Sequence, residues 1–211
     1  MLTPRGPLVA PPGNGSRMFA ESRLLFKLWL KNPRKIGAVA VSSPELAAAM
    51  ARQIPRGPGW VVELGGGTGS VTKAILESGV ARDRLLVVER DPTLHHILQE
   101  RYPGVRVIHG DAMQLQALLR LEGVDYVKAV VSSLPLISMK RTIQYRITAQ
   151  AFGCLPAGAP LIQFTYGPFS PIPRRLHGVE GEVGERVLQN LPPASVWVYR
   201  KPATHTRQAA E

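Results

Sequence analysis

The stretch Val61-Val62-Glu63-Leu64-Gly65-Gly66-Gly67-Thr68-Gly69 constrains the fold more than any other part of the chain. An apolar run of strand length breaks into a glycine-rich turn, and a helical pattern over residues 70–78 follows at once. Glycines let the backbone turn tightly and approach a ligand with no Cβ in the way. The same strand-then-helix alternation continues downstream. The residue pattern predicts strands over 60–64, 85–89, 105–108, 126–132 and 160–166, with helices over 93–101, 113–121 and 141–152 between them. Upstream, Ser43-Pro44 reads as a helix start, Ser as cap and Pro at the first position, with the helix running to about residue 53. Alternating strands and helices indicate a parallel sheet covered on both faces. The alternation stops after residue 166. Residues 183–188 and 196–200, with Pro192-Pro193 between them, read as a strand pair that closes one edge. The expected fold is therefore α/β, a doubly wound, mostly parallel seven-stranded sheet.

Glu89 ends the second strand, 20 residues after Gly69. A carboxylate there can accept both hydroxyls of a ribose. The third strand runs into Gly110-Asp111-Ala112, where an Asp can accept from an adenine amino group. A glycine turn alone is weak evidence, since an unrelated α/β protein can carry one. Charge narrows the choice. A dinucleotide site usually spaces its glycines G-x-G-x-x-G to seat a pyrophosphate. Here the spacing is G-x-G-x-G, with Glu63 two places before the first glycine. A negative side chain is unfavourable beside a pyrophosphate and favourable beside a sulfonium and an ammonium. These residues thus point to S-adenosylmethionine, with S-adenosylhomocysteine as product, and to a methyltransferase, a class that adds such a closing strand pair to the doubly wound sheet. The expected cofactor-binding set is Glu63, Gly65, Gly67, Thr68, Gly69, Glu89, Arg90, Asp111, Ala112 and Ser132. No metal site is expected, and Cys154 is the single cysteine, so there is no disulfide framework.

The fourth strand leads into Ser132-Ser133-Leu134-Pro135-Leu136, where the methyl acceptor belongs in such a fold. Enzymes that methylate exocyclic amines of bases commonly carry Asn-Pro-Pro-Tyr or Asn-Leu-Pro-Tyr there, the amide and a carbonyl holding the amine while the Tyr stacks on the ring. This chain has neither the Asn nor the aromatic residue. Its small hydroxyls and proline-fixed carbonyls remain as acceptors; the plainer reading is a simple turn. Tyr166 closes the fifth strand on the ligand-binding edge, where its ring can face an increasingly cationic amine, or it is a core tyrosine. Arg174-Arg175 can pair with a phosphate or lie idle on the surface. The candidate catalytic residues are Tyr166, Ser132 and Ser133, and the candidate substrate-binding residues are Leu134, Pro135, Tyr166, Arg174 and Arg175. No side chain stands out as a general base; His109 neighbours Asp111 but reads equally well as structural.

Lys plus Arg number 26 against 15 acidic residues, for a net charge of +11. Such a chain favours polyanions, either nucleic acid or an anionic membrane face, or it is simply a basic protein. Residues 1–16 and 202–211 read as a flexible leader and tail. Residues 17–35 form an amphipathic pattern in which Met18, Phe19, Leu24, Leu25, Phe26, Leu28, Trp29 and Leu30 cover a broad apolar arc. Arg23, Lys27 and Lys31 make a basic ridge opposite, and Lys35 follows. This suits a helix lying in the headgroup layer of an anionic membrane or one packed on a core with a solvated charged face. The methyltransferase domain is expected over 36–201. No apolar run approaches the roughly 20 residues of a membrane span, and no secretory signal is evident, so a cytoplasmic protein is expected.

Together these segments resemble the bacterial phosphatidylethanolamine N-methyltransferases of the PmtA type, within the class I S-adenosylmethionine-dependent superfamily. The resemblance covers about residues 20–200. It runs through Trp29, Pro33-Arg34-Lys35-Ile36-Gly37-Ala38-Val39, Ser42-Ser43, the glycine turn with Ser70-Val71-Thr72, and Gly110-Asp111-Ala112. The more specific stretches are Ser132-Ser133-Leu134-Pro135-Leu136, Gln163-Phe164-Thr165-Tyr166-Gly167 and Asn190-Leu191-Pro192-Pro193-Ala194. Gly66 and Val41 stand where the family pattern often has Pro, and Gly66 is expected to alter loop stiffness only. The resemblance implies stepwise methylation of phosphatidylethanolamine to phosphatidylcholine at the inner membrane surface. It also implies that Arg23, Lys27, Trp29, Lys31 and Lys35 contact anionic lipid. A monomer is expected, with no nucleic-acid partner. The rivals are an rRNA adenine N6-dimethyltransferase, which would carry Asn-Leu-Pro-Tyr or Phe at Ser133 to Leu136, and a non-catalytic S-adenosylmethionine-binding membrane module.

Overall fold

The computed structural model describes residues 43–166, 169–190 and 193–202. The amphipathic segment 17–35, with Arg23, Lys27, Trp29, Lys31 and Lys35, lies outside the described residues, as do the leader and nearly all of the tail. Within them the chain runs α1 (Pro44–Ala51), β1 (Trp60–Leu64), α2 (Ser70–Glu77), β2 (Leu85–Glu89), α3 (Pro92–Arg101), β3 (Arg106–His109), α4 (Leu115–Leu121), β4 (Val127–Ser132), α5 (Arg141–Cys154), β5 (Pro160–Thr165), α6 (Arg174–His177), β6 (Glu180–Val187) and β7 (Ala194–Arg200). The seven strands form one sheet in the order β3-β2-β1-β4-β5-β7-β6. The first five are parallel, and β7 inserts antiparallel between β5 and β6. The doubly wound seven-stranded sheet expected from the sequence is the fold observed.

Side-chain alternation along each strand divides the core into two layers. Val61, Val87, Val131, Ile162, Phe164 and Val196 pack against α1, α2 and α3 through Leu46, Met50, Ile75, Leu98 and Tyr102. Val62, Leu64, Leu86, Val130, Leu161, Trp197 and Tyr199 pack against α4 and α5 through Leu115, Leu119, Ile147 and Phe152. Strands β1, β2 and β5 are buried at every position, as parallel strands covered on both faces must be. Among the described residues, no helix is long and apolar enough to cross a membrane.

Local chemistry sets the element ends. Ser43 Oγ accepts from Leu46 N at 3.2 Å and Pro44 opens α1. Asp91 caps α3 by accepting from Thr93 N and Leu94 N at 2.8 and 3.0 Å. Two departures from the sequence reading have a plain local form. The helix expected from residue 113 begins as a 3-10 turn over Ala112–Gln114 before α4. Strand β6 starts at Glu180, three residues earlier than the apolar pattern suggests. It is the edge strand, and its opening residues Glu180 and Glu182 are exposed, so its first half carries no buried alternation to read.

Candidate active site

The glycine turn after β1 depends on residues with no Cβ. Gly65, Gly67 and Gly69 have φ of 78°, 54° and 88°, a region that side-chain-bearing residues rarely adopt. A Cβ on Gly67 would meet nothing nearer than the Gly65 carbonyl oxygen at 4.0 Å, so the hollow over Gly67 is open to a ligand. Gly69 is the opposite case. A Cβ there would come within 2.6 Å of the Tyr102 ring, and the Tyr102 hydroxyl donates to the Gly69 carbonyl at 2.8 Å. Arg101 Nη1 donates to the Thr68 carbonyl at 2.6 Å. The end of α3 therefore clamps the turn. Gly69→Ala combines strain with a clash against Tyr102, and its expected effect is a weakened grip on S-adenosylhomocysteine, by about tenfold in calorimetry. Gly66 is also fixed by packing. A Cβ there would lie 2.5 Å from Val87 Cγ1 and 2.7 Å from Leu98 Cδ1. Its role thus extends beyond the loop stiffness expected from the sequence.

Two carboxylates flank this turn. Glu89 is 8% exposed; its Oε2 accepts from Gly67 N at 3.0 Å and its Oε1 from Asp91 N at 2.8 Å. Each oxygen keeps a second lone pair, so the carboxylate both ties the glycine turn to β2 and retains acceptors for two hydroxyls. Glu63 is fully buried on the α1–α3 face. Its Oε2 accepts from Thr72 Oγ1 at 2.7 Å, and its Oε1 has no partner. Burial pushes its pKa up to about 8, with the Thr72 hydroxyl acting against the shift and the charge of Glu89 adding to it. A buried carboxyl with one vacant oxygen fits a cationic ligand. Together with the open hollow at Gly67, it makes the turn a suitable seat for S-adenosylmethionine.

The remaining predicted cofactor residues divide. Asp111 uses Oδ1 to cap the 3-10 turn, accepting from Met113 N at 2.8 Å, and Ala112 behind it is buried. Arg90 is exposed, and its carbonyl lies 3.0 Å from His109 Nε2. This contact gives His109 a structural role. Thr68 is exposed, its hydroxyl 3.5 Å from Ser70 Oγ.

On the acceptor side, Ser132 ends β4 directly across from Gln163 on β5. Ser132 Oγ and Ser133 Oγ are buried without hydrogen-bond partners. The expectation of free backbone acceptors in the turn needs correction at Leu134. The Leu134 carbonyl accepts from both Leu136 N and Gln163 Nε2, each at 2.9 Å, which fills its two lone pairs. The Pro135 carbonyl accepts from Ser138 N at 2.9 Å. Tyr166 follows β5 and packs on the α1–α3 layer, edge-on to Phe164 with ring centroids 5.3 Å apart. Its pKa rises to about 12, chiefly through burial, with a hydrogen bond from Asn190 opposing. At neutral pH it is a phenol and not a base. Arg174 and Arg175 are exposed on α6, and Arg174 Nη1 donates to the Gly181 carbonyl at 3.0 Å. Helix α6 rests on α5, where the Tyr145 and His177 rings stack 4.8 Å apart.

Sequence reasoning overlooked Thr72, Arg101, Tyr102 and Gln163 as parts of the site. Thr72 was visible as a lone hydroxyl on an otherwise apolar helix face. Tyr102 and Arg101 reach the turn from 33 residues away, and no local pattern signals that.

Residues 51–152 match the family model described as ribosomal RNA adenine dimethylase. The ornithine lipid N-methyltransferase of Singulisphaera acidiphila is 33% identical over 185 residues, covering 82% of this chain and 92% of that protein. The chain belongs to the class I S-adenosylmethionine-dependent methyltransferases. A ribosomal RNA small subunit methyltransferase A from Synechococcus is 36% identical to this methyltransferase over 92 residues, which span 41% of the chain and 29% of that enzyme. A solved Burkholderia thailandensis 1,6-didemethyltoxoflavin-N1-methyltransferase, holding its substrate and S-adenosylhomocysteine, shares the fold of this methyltransferase. Its TM-score is 0.61 at 17% identity, with 93% of this chain and 94% of that one covered.

Proposed function

We propose that this methyltransferase methylates the amine of a membrane lipid headgroup, with phosphatidylethanolamine as substrate, stepwise through mono- and dimethyl forms to phosphatidylcholine. The observation that carries this reading is the likeness to a lipid N-methyltransferase along 92% of that relative's length. The likeness to rRNA methyltransferases is confined to a minority of theirs, and their family model stops at residue 152, before the acceptor-side residues Gln163 and Tyr166. Phosphatidylethanolamine as the particular lipid rests on the family likeness of Ser132 to Leu136, Gln163 to Gly167 and Asn190 to Ala194. Ornithine lipid is the second reading, favoured by the name of that same relative. Radiolabelled methyl transfer from purified protein to vesicles of phosphatidylethanolamine, vesicles of ornithine lipid, or ribosomal RNA separates these outcomes. Label in RNA alone would overturn the lipid reading.

When bound, the cofactor supplies an electrophilic methyl group carried on a sulfonium. Glu63 would hold its positive end, Glu89 its ribose and Asp111 its adenine. The substrate nitrogen must arrive with a free lone pair, because an ammonium cannot attack, and its proton leaves to solvent. Ser132 and Ser133 offer hydroxyl oxygens that orient the remaining N–H bonds. Catalysis is then chiefly alignment and desolvation, with no dedicated base. Tyr166 lines the cationic product with its ring. Tyr166→Ala is expected to lower the transfer rate about tenfold and Tyr166→Phe by a few-fold at most; equal losses would move the role from the ring to the hydroxyl.

In this reading the enzyme is a peripheral protein of the inner membrane's cytoplasmic face, held by the 17–35 segment, and works as a monomer. Reversing Arg23, Lys27 and Lys31 to Glu is expected to abolish co-sedimentation with anionic vesicles while leaving cofactor affinity intact. Undiminished sedimentation would remove the basic ridge from the membrane role.

A further inference from the structure

Ser132 on β4, Gln163 on β5 and Trp197 on β7 are direct neighbours across the sheet, and Thr165 lies two residues along the same face. Ser132 Oγ, Gln163 Oε1, Thr165 Oγ1 and Trp197 Nε1 are all buried, and none has a hydrogen-bond partner. A buried polar atom left unpaired is costly, so four on one patch mark a place that a ligand or water completes. The set has a chemical bias. Gln163 Oε1 is an acceptor only and the two hydroxyls can accept, whereas the indole N–H is the one fixed donor. Gln163 Oε1 can be completed only by a donor such as an N–H, whereas the two hydroxyls can turn to accept or to donate.

Gln163 stands at its centre and does two things at once. Its Nε2 donates to the Leu134 carbonyl at 2.9 Å and to the Phe164 carbonyl at 2.9 Å. That fixes the amide orientation and turns Oε1 away from both. The side chain of Leu134 lies against the cofactor turn, since a Cβ on Gly65 would fall 2.7 Å from Leu134 Cδ2. The residue whose carbonyl Gln163 holds is therefore also the one that touches the glycine turn. Base-amine methyltransferases carry an Asn amide where this chain has Ser133.

We infer that Gln163 supplies the missing amide from the neighbouring strand, its Nε2 anchoring the Ser133–Pro135 turn and its Oε1 accepting an N–H of the substrate amine. This rests on the amine-methylation reading above and names the group that aligns the nitrogen. A neutral primary amine has two N–H bonds to give, its monomethyl form one, and its dimethyl form none. Dependence on Gln163 therefore decreases as methylation proceeds.

The test compares wild type with Gln163→Met, which keeps the volume and loses both hydrogen-bonding functions. Substrates are vesicles containing phosphatidylethanolamine or its N-methyl or N,N-dimethyl derivative. The variant is expected to lose about ten- to a hundredfold in kcat on phosphatidylethanolamine, the range for a hydrogen bond lost at the reacting group. The loss on the dimethyl lipid is expected to be about tenfold smaller, with S-adenosylhomocysteine affinity within about threefold of wild type. A general packing defect would depress all three lipids alike. Equal losses on the three lipids, or a loss of cofactor affinity as large as the loss of rate, overturns the assignment. Should Gln163→Met fail to fold, Gln163→Asn carries the same comparison, because it keeps an amide but withdraws it by one methylene. If wild type methylates no amine lipid at all, the functional reading falls and this assignment with it. If wild type is active and the ratio does not move, the assignment alone falls.

Discussion

Replacing Glu63 by Gln is expected to stabilise the cofactor-free protein at pH 8.5 and to weaken its binding of S-adenosylmethionine by about ten- to a hundredfold. Both effects come from one buried carboxyl. Its folded pKa of about 8 lies above the ordinary value of 4.5, chiefly because burial disfavours the charged form. Between those two values the folded chain holds a proton that the unfolded chain has released. Stability from this group is full below pH 4.5 and declines as the pH climbs through 8, where the carboxylate becomes charged in a dry setting. A shift of that size corresponds to several kcal/mol. Glutamine keeps the shape and cannot ionise, so thermal melts from pH 5 to 9 should show a steeper alkaline decline for wild type than for the variant. Parallel curves would mean that Glu63 titrates elsewhere. The cofactor reverses this preference, because its positive charge favours the ionised carboxylate. Binding near pH 7 is therefore expected to release a proton, visible as a buffer-dependent heat in calorimetry, and Gln should abolish that release.

Replacing Glu89 by Ala is expected to cost a hundredfold or more in S-adenosylhomocysteine affinity. The carboxylate makes charge-assisted hydrogen bonds to Gly67 N and Asp91 N, each on the order of 1.5–3 kcal/mol, and its remaining lone pairs are those proposed to take the ribose. Alanine removes the ligand contact and the tie that holds the glycine turn to β2 together. Gln is not a mild substitute here. An amide has a single oxygen, so its NH2 group would face one of the two backbone N–H donors. Calorimetry on Glu89→Ala and Glu89→Gln should show both weakened; wild-type affinity in either would take Glu89 out of the ribose role.

The glycine turn and the carboxylates around it were largely legible in the sequence because their parts are local. Glu63, Gly65, Gly67, Gly69 and Glu89 sit at strand ends joined by short turns, where spacing alone fixes the geometry. Strand boundaries at 60–64 and 85–89 came through for the same reason, since short apolar runs bounded by glycine in the first case and by charged residues in the second leave little choice. The acceptor half was less legible. Gln163 looks like one polar residue in a buried strand until the sheet brings it beside Ser132, and the saturation of the Leu134 carbonyl is invisible without tertiary contacts. The short α6 and the early start of β6 escaped because exposed elements carry no burial pattern.

The alternation of side chains across the sheet has a consequence for how such proteins diversify. Glu63 projects toward one layer of helices, while Ser132 and Gln163 belong to the other. Glu63 and the Ser132–Gln163 pair are thus covered by different helices, and Leu134 is the residue that links the two halves. A lineage can exchange the recipient-facing positions on β4, β5 and β7 and acquire a new nitrogen to modify, while the machinery for the donor passes unchanged to its descendants.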